Sequence, residues 1–168
     1  MVMSMHFTFE LADKGAFSKL APDLFDLLYN NMSEIAPSGY CYEEDRAVWM
    51  EAVVPAMEKP NRQVVLIYAD GLTVGYFQYY TTAESLMMEE FQLKPMYQGS
   101  GAFGALFAWL LPHLSEDLQI VEAYAHKQNL RSQTILTHLG MQRVGENNSG
   151  NSWRFKGAYT RLKERYDR

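Results

Sequence analysis

The sequence holds a single cysteine, Cys41, in 168 residues, so no internal disulfide can form and a reducing compartment suits the chain. It also lacks an excess of basic charge. With 15 Lys and Arg against 20 Asp and Glu, the formal charge is −5. That argues against a general binder of nucleic acid or anionic membrane, both of which need a basic face. No apolar run approaches the roughly 20 residues that cross a bilayer, and the methionine-rich start has no charged-then-apolar secretion layout. The expectation is a soluble cytoplasmic protein, in which the N-x-S sequences at Asn31 and Asn147 are chance matches rather than glycan sites. His6, His113, His126 and His138 show no metal-ligand spacing, and neither H-E-x-x-H nor C-x-x-C occurs, so no metal is implied. Repeats and linkers are missing too. About half the residues are apolar, which fits one domain spanning 1–168 with a real core.

What is present is a legible succession of elements. His6 to Leu11 alternates as a short strand, and Gly15 to Ile35 carries Phe17, Leu20, Leu24, Leu27 and Leu28 at helical spacing, with an interruption at Pro22. After a Pro-Ser-Gly loop, Glu43 to Met57 reads as a second helix with Val48, Trp49, Ala52, Val53 and Ala56 facing inward. Gln63 to Ala69 and Thr73 to Thr81 read as strands joined at Asp70-Gly71, a tight hairpin signal. Strand Leu86 to Leu93, an apolar helix from Ala102 to about Leu114, and strand Gln119 to His126 follow. The helical crossover makes those two strands parallel. Leu130 to Leu139 is a short helix with Asn129 as N-cap and Gly140 as its stop. Strands near Met141 to Glu146 and Ser152 to Tyr159 flank a polar loop, and the charged tail from Arg161 to Arg168 is uninformative on its own.

The chain is organised around Leu93-Lys-Pro-Met-Tyr-Gln-Gly-Ser-Gly-Ala-Phe-Gly104, where a strand ends and an apolar helix begins. A glycine-rich turn lets backbone N–H groups face a ligand, and the helix N-terminus adds about half a positive charge, so the junction suits an anion such as phosphate. Gly99-Ser-Gly101-Ala-Phe-Gly104 matches G-x-G-x-x-G, with Glu122 near the place of a Rossmann ribose-binding carboxylate. Read one residue earlier, Gln98-Gly-Ser-Gly101-Ala-Phe103 resembles the Q/R-x-x-G-x-G/A pyrophosphate loop of the GNAT superfamily of acetyl-CoA-dependent N-acetyltransferases. The surroundings favour that second reading. Pro95-Met-Tyr97-Gln98-Gly99 resembles the superfamily's P-x-Y-R/Q-G run, Leu93 falls where its V-x-P valine falls, and Asn129 with Leu139-Gly140-Met141 resembles its N…L-G-F segment. A Rossmann domain would also need a second half, for which too little chain follows Gly104. The resemblance runs from about Arg62 to Val144.

The resemblance implies an α/β (α+β) fold: a mixed, mostly antiparallel sheet whose central parallel strands splay, flanked by helices. It implies that Gln98, Gly99, Ser100, Gly101, Ala102 and Phe103 hold the diphosphate of acetyl-CoA. It further implies that the pantetheine arm lies along Phe91, Gln92 and Leu93, with Asn129 and Ser132 bonding from the other side, and that the first two helices wall the acceptor side. A backbone N–H near Leu93 is the expected oxyanion donor. The acceptor, a small-molecule or peptide amine, must lose a proton to attack. Glu89 shares a strand face with Leu93 and is the expected base, with Glu90 pointing the other way. Ordinary solvent exposure is the alternative for Glu89 and the favoured reading for Glu90.

Two departures stand out. Many relatives carry a tyrosine seven residues after the asparagine to protonate the leaving thiolate; here that position is Leu136. Tyr124 or His126 are candidate substitutes, each with an ordinary packing or polar role as its alternative, or the thiolate leaves unassisted. Phe103 stands where Gly or Ala is usual, and its side chain can turn into the core. Ser100 is no hydrolase nucleophile, because position 98 is Gln and G-x-S-x-G fails. Cys41 reads as packing. The function implied is acetyl transfer from acetyl-CoA to a primary amine, the alternative being a non-catalytic CoA-binding sensor. A homodimer is compatible with both.

Overall fold

In the computed structural model, residues 5–166 are described. The methionine-rich start to Ser4 and the last two residues of the charged tail lie outside them. The elements are β1 (Phe7–Leu11), α1 (Phe17–Met32), α2 (Tyr42–Ala56), β2 (Arg62–Ala69), β3 (Leu72–Thr81), β4 (Ser85–Leu93), α3 (Ala102–Leu110), β5 (Ile120–His126), α4 (Leu130–His138), β6 (Gln142–Glu146), β7 (Ser152–Ala158) and α5 (Tyr159–Tyr166). The hydrogen-bonded strand order is β1-β2-β3-β4-β5-β7-β6. β4 and β5 pair in parallel, while β1–β2, β5–β7 and β6–β7 are antiparallel. This is the expected mixed sheet with one parallel pair, and its antiparallel ladders do not belong to a doubly wound dinucleotide-binding domain. The β2–β3 turn closes on Asp70 (φ 52°) and Gly71 (φ 79°), two left-handed residues whose twist matches a hairpin.

Packing divides the chain into two compact units. The first comprises Met1–Gln78 and Glu90–Leu106. In it α1 and α2 cover one sheet face: Phe17, Ala21, Leu24, Met57, Val64, Leu66 and Tyr76 form a core, with Leu27, Trp49, Met50, Val53 and Val54 packed against it. α1 runs through Pro22 without the expected interruption. A proline in the second turn removes one backbone bond, and burial of Phe17, Ala21, Leu24 and Phe25 on one stripe offsets the loss. The inward stripe of α2 differs from expectation. Val48 is 69 % exposed and Ala52 is also exposed. A tilted ring contact of Trp49 with Phe25 of α1 (centroids 5.6 Å apart) goes with a rotation that keeps Trp49 and Val53 inward as expected and adds Met50 and Val54 in place of Val48 and Ala52.

The second unit comprises Tyr79–Glu89 and Phe107–Arg168. Its parallel ladder runs from Ser85↔Ile120 to Met88↔Ala123, while β5 pairs with β7 along its whole length to His126↔Ser152. The tail that carried no sequence signal forms α5, which buries Tyr159 and Leu162. The Arg165 guanidinium donates to the His138 carbonyl at 2.8 Å, a cation on the negative end of α4. α4 begins as expected: Asn129 Oδ1 accepts from the Ser132 N–H at 3.1 Å.

Candidate functional site

The loop between β4 and α3 is built by short-range bonds. Tyr97 N–H donates to Lys94 O at 2.9 Å and Gln98 N–H to Pro95 O at 3.2 Å, closing a 3-10 turn over Pro95–Tyr97. Gly99 and Gly101 then adopt φ of 75° and 85°. A Cβ at either glycine would meet no atom within 4 Å, so backbone conformation and not crowding calls for glycine here, and the surface above the loop is open. The first intrahelical bond of α3 joins Ala105 N–H to Gly101 O at 3.2 Å. The first-turn amides of an α-helix in general point along its axis without an i−4 carbonyl of their own helix, which suits such a turn to an anion. The Ser100 hydroxyl donates to Tyr97 O, so what Ser100 can offer a phosphate is its main-chain N–H. Phe103 turns inward and packs edge-on against Phe91, with centroids 5.1 Å apart, while Ala102 is buried with Ile67, Val74 and Leu93.

β4 reaches the loop through Leu93, whose carbonyl accepts from Asn31 Nδ2 at 2.8 Å and Gln98 Nε2 at 3.3 Å. Asn31 also donates to Gln92 Oε1 at 2.9 Å, and Gln92 Nε2 in turn donates to Glu90 Oε1 at 2.5 Å. One α1 side chain thus fixes both the main chain and a side chain of β4. Gly75 makes a second close approach to β4: a Cβ there would lie 2.3 Å from Gln92 O. Beside Asn31 a cleft of about 700 Å³ runs along α1, lined among others by Asp23, Asp26, Asn30, Tyr68, Thr73 and Lys94. Asn31 was legible only as a glycan-type sequence. Its better signal is position, one heptad after Leu24 on the inward stripe of α1.

The second unit holds the remaining candidates. Asn129 is committed to capping α4, with Ser132 as its partner. Tyr124 is 47 % exposed on β5. His126 Nδ1 accepts from Gln128 N–H at 3.1 Å, which leaves the proton of a neutral ring on Nε2. Leu136 is buried, at 7 % exposure. Glu122 is paired with Arg154 rather than presented to a ligand, and that carboxylate, by hydrogen bond and then by charge, raises the Arg154 pKa. Among the described residues no cluster of His, Cys, Asp or Glu could hold a metal, and no helix is long and apolar enough to cross a membrane.

No protein-family model matches the chain, and no curated protein matches it. Solved structures do. The PaiA N-acetyltransferase of Thermoplasma acidophilum, crystallised with coenzyme A, superposes with a TM-score of 0.71 at 14 % identity over 92 % of this chain and 100 % of that one. An acetyltransferase of Thermus thermophilus gives 0.68 at 14 % identity over 94 % and 99 %. The spermidine/spermine N-acetyltransferase SpeG of Vibrio cholerae gives 0.60 at 12 % over 95 % and 97 %. The chain has the fold of the GNAT acetyltransferases.

Proposed function

We propose that the protein transfers an acetyl group from acetyl-CoA to a primary amine by direct attack on the thioester. The observation that carries this reading is the loop itself: two left-handed glycines under open space, directly before the first turn of α3. In this reading the amides from Gly99 to Phe103 hold the diphosphate, and the main chain of Phe91 to Leu93 lies along the pantetheine arm. A β4 N–H near Leu93 stabilises the oxyanion. Asn129 and Ser132 are the further contacts expected for the arm. Glu89 of β4 takes the acceptor's proton in this reading. The cleft along α1 carries two aspartates against one lysine, which suits an acceptor that arrives as a cation.

The test is release of free thiol from acetyl-CoA with a panel of amines: spermidine, lysine and a peptide with a free N-terminus. Thiol release that requires one of these amines supports the proposal. Leu136, buried where relatives place a hydroxyl, favours a second reading, a CoA-binding protein without turnover. Calorimetric binding of CoA with no amine-dependent thiol release would favour that one.

A further inference from the structure

α1 presents two kinds of residue to the cleft beside Asn31. Leu20, Leu24 and Leu27 lie three and four positions apart and give that wall an apolar stripe, while Asp23, Asp26 and Asn30 run along its edge at the same spacing. The sheet supplies a second wall with Leu66 and Tyr68 of β2 and Thr73 of β3, and the phenol of Tyr68 is already hydrogen-bonded to Thr73 and Glu10. The third side is Lys94-Pro95-Met96, the chain that leaves β4 for the glycine loop.

Charge in this cleft is divided between its walls. Asp23 makes no ion pair or hydrogen bond among the described residues, and Asp26 accepts from the Tyr42 hydroxyl, which occupies one of its oxygens. The Lys94 ammonium has no ion pair among the described residues either, so the cleft holds its cation apart from both aspartates. An occupant with one sign of charge suits one wall and is repelled by the other. A diamine would bring its second ammonium to Lys94, and a dicarboxylate would meet two aspartates. A molecule with an ammonium and a carboxylate a few atoms apart suits both.

We propose that the acceptor is a free amino acid, its ammonium drawn to Asp23 and Asp26, its carboxylate to Lys94, and its aliphatic stem lying on the leucines of α1. This names the substrate class within the acetyl-transfer reading above and rests on it. The cleft adjoins the part of β4 to which that reading assigns the thioester. Asn31, which lines it, donates to Leu93 O at 2.8 Å, and Lys94 follows Leu93 in the chain.

The experiment measures kcat and KM for thiol release from acetyl-CoA with two matched pairs, leucine against leucinamide and lysine against cadaverine. The proteins are the wild type, Lys94→Gln, Lys94→Glu and Asp23→Asn; both positions are exposed, so these variants keep the core intact. In the wild type each amino acid should exceed its partner lacking the carboxylate by about 10-fold in kcat/KM. The preference should shrink as salt rises, because exposed charges are screened. Lys94→Gln should remove it, and Lys94→Glu should reverse it in favour of cadaverine, a change that loss of structure would not produce. Asp23→Asn should raise KM for all four amines. Equal kcat/KM within each pair, a wild type that prefers cadaverine, or a preference for lysine that survives in Lys94→Glu would each overturn the inference and leave acetyl transfer standing. Coenzyme A bound with no thiol released by any of these amines or by spermidine is the separate result in which acetyl transfer itself fails, and the acceptor assignment falls with it.

Discussion

Gly101→Ala separates backbone strain from ligand binding, because Gly71 supplies a matched control. Gly101 has φ 85° and Gly71 has φ 79°. A Cβ at either position meets nothing within 4 Å, so alanine introduces strain without crowding in both. A left-handed backbone costs an L-residue about 1–2 kcal/mol. Each variant should lose about that much unfolding free energy in urea, equivalent to a melting shift of about 2–4 °C per kcal/mol for a chain of this size. Only Gly101→Ala should weaken coenzyme A. There the new methyl projects into the open space over the loop, and relaxation of the strained turn swings the amides of the first α3 turn away from the anion. A loss of about 10–100-fold, or about 1.4–2.7 kcal/mol, is expected by calorimetry. Gly71→Ala should bind as the wild type does. If a folded Gly101→Ala protein binds coenzyme A as tightly as Gly71→Ala, the loop is not the diphosphate site and the functional reading loses its support.

Gly75→Ala acts by crowding, since its Cβ would sit 2.3 Å from Gln92 O and 2.7 Å from Leu93 Cδ2. It should cost about 1–3 kcal/mol in urea titrations and also weaken coenzyme A, because β4 must shift. Asn31→Ala removes bonds of 2.9 and 2.8 Å to Gln92 and Leu93. A loss of about 1–3 kcal/mol, with faster amide exchange at the end of β4, is expected. Tyr76→Phe should gain about 1 kcal/mol at pH 7 by removing an unpaired hydroxyl. It should also flatten the alkaline decline. Below the unfolded value near 10, native and unfolded phenols are both protonated and stability is level. Above it the unfolded chain ionises first and stability falls, because burial and the Glu90 charge hold the native phenol protonated. Tyr68 and Tyr79, also raised chiefly by burial, keep part of that decline, which urea midpoints from pH 8 to 11 will show.

The central part of the fold was readable because local chemistry there leaves few choices. Asp70-Gly71 specifies a hairpin, Asn129 and Gly140 bracket α4, and the crossover through α3 makes β4 and β5 parallel. The rotation of α2 was not readable, because its apolar residues fall all round and the inward face goes with an aromatic contact to a distant helix. Nor was α5: only eight residues long, it depends on burial of Tyr159 and Leu162 rather than on its own sequence. At the candidate site the glycines and Gln98 announce themselves by motif. Asn31 does not, because its meaning comes from a bond partner more than sixty positions away.

The parallel ladder stops at Met88↔Ala123, although β4 continues for five more residues to Leu93. The stretch beyond that register offers a footprint to deuterium labelling. Protection of Phe91 and Leu93 gained on adding coenzyme A, and absent without it, would map where the donor lies before any acceptor is known.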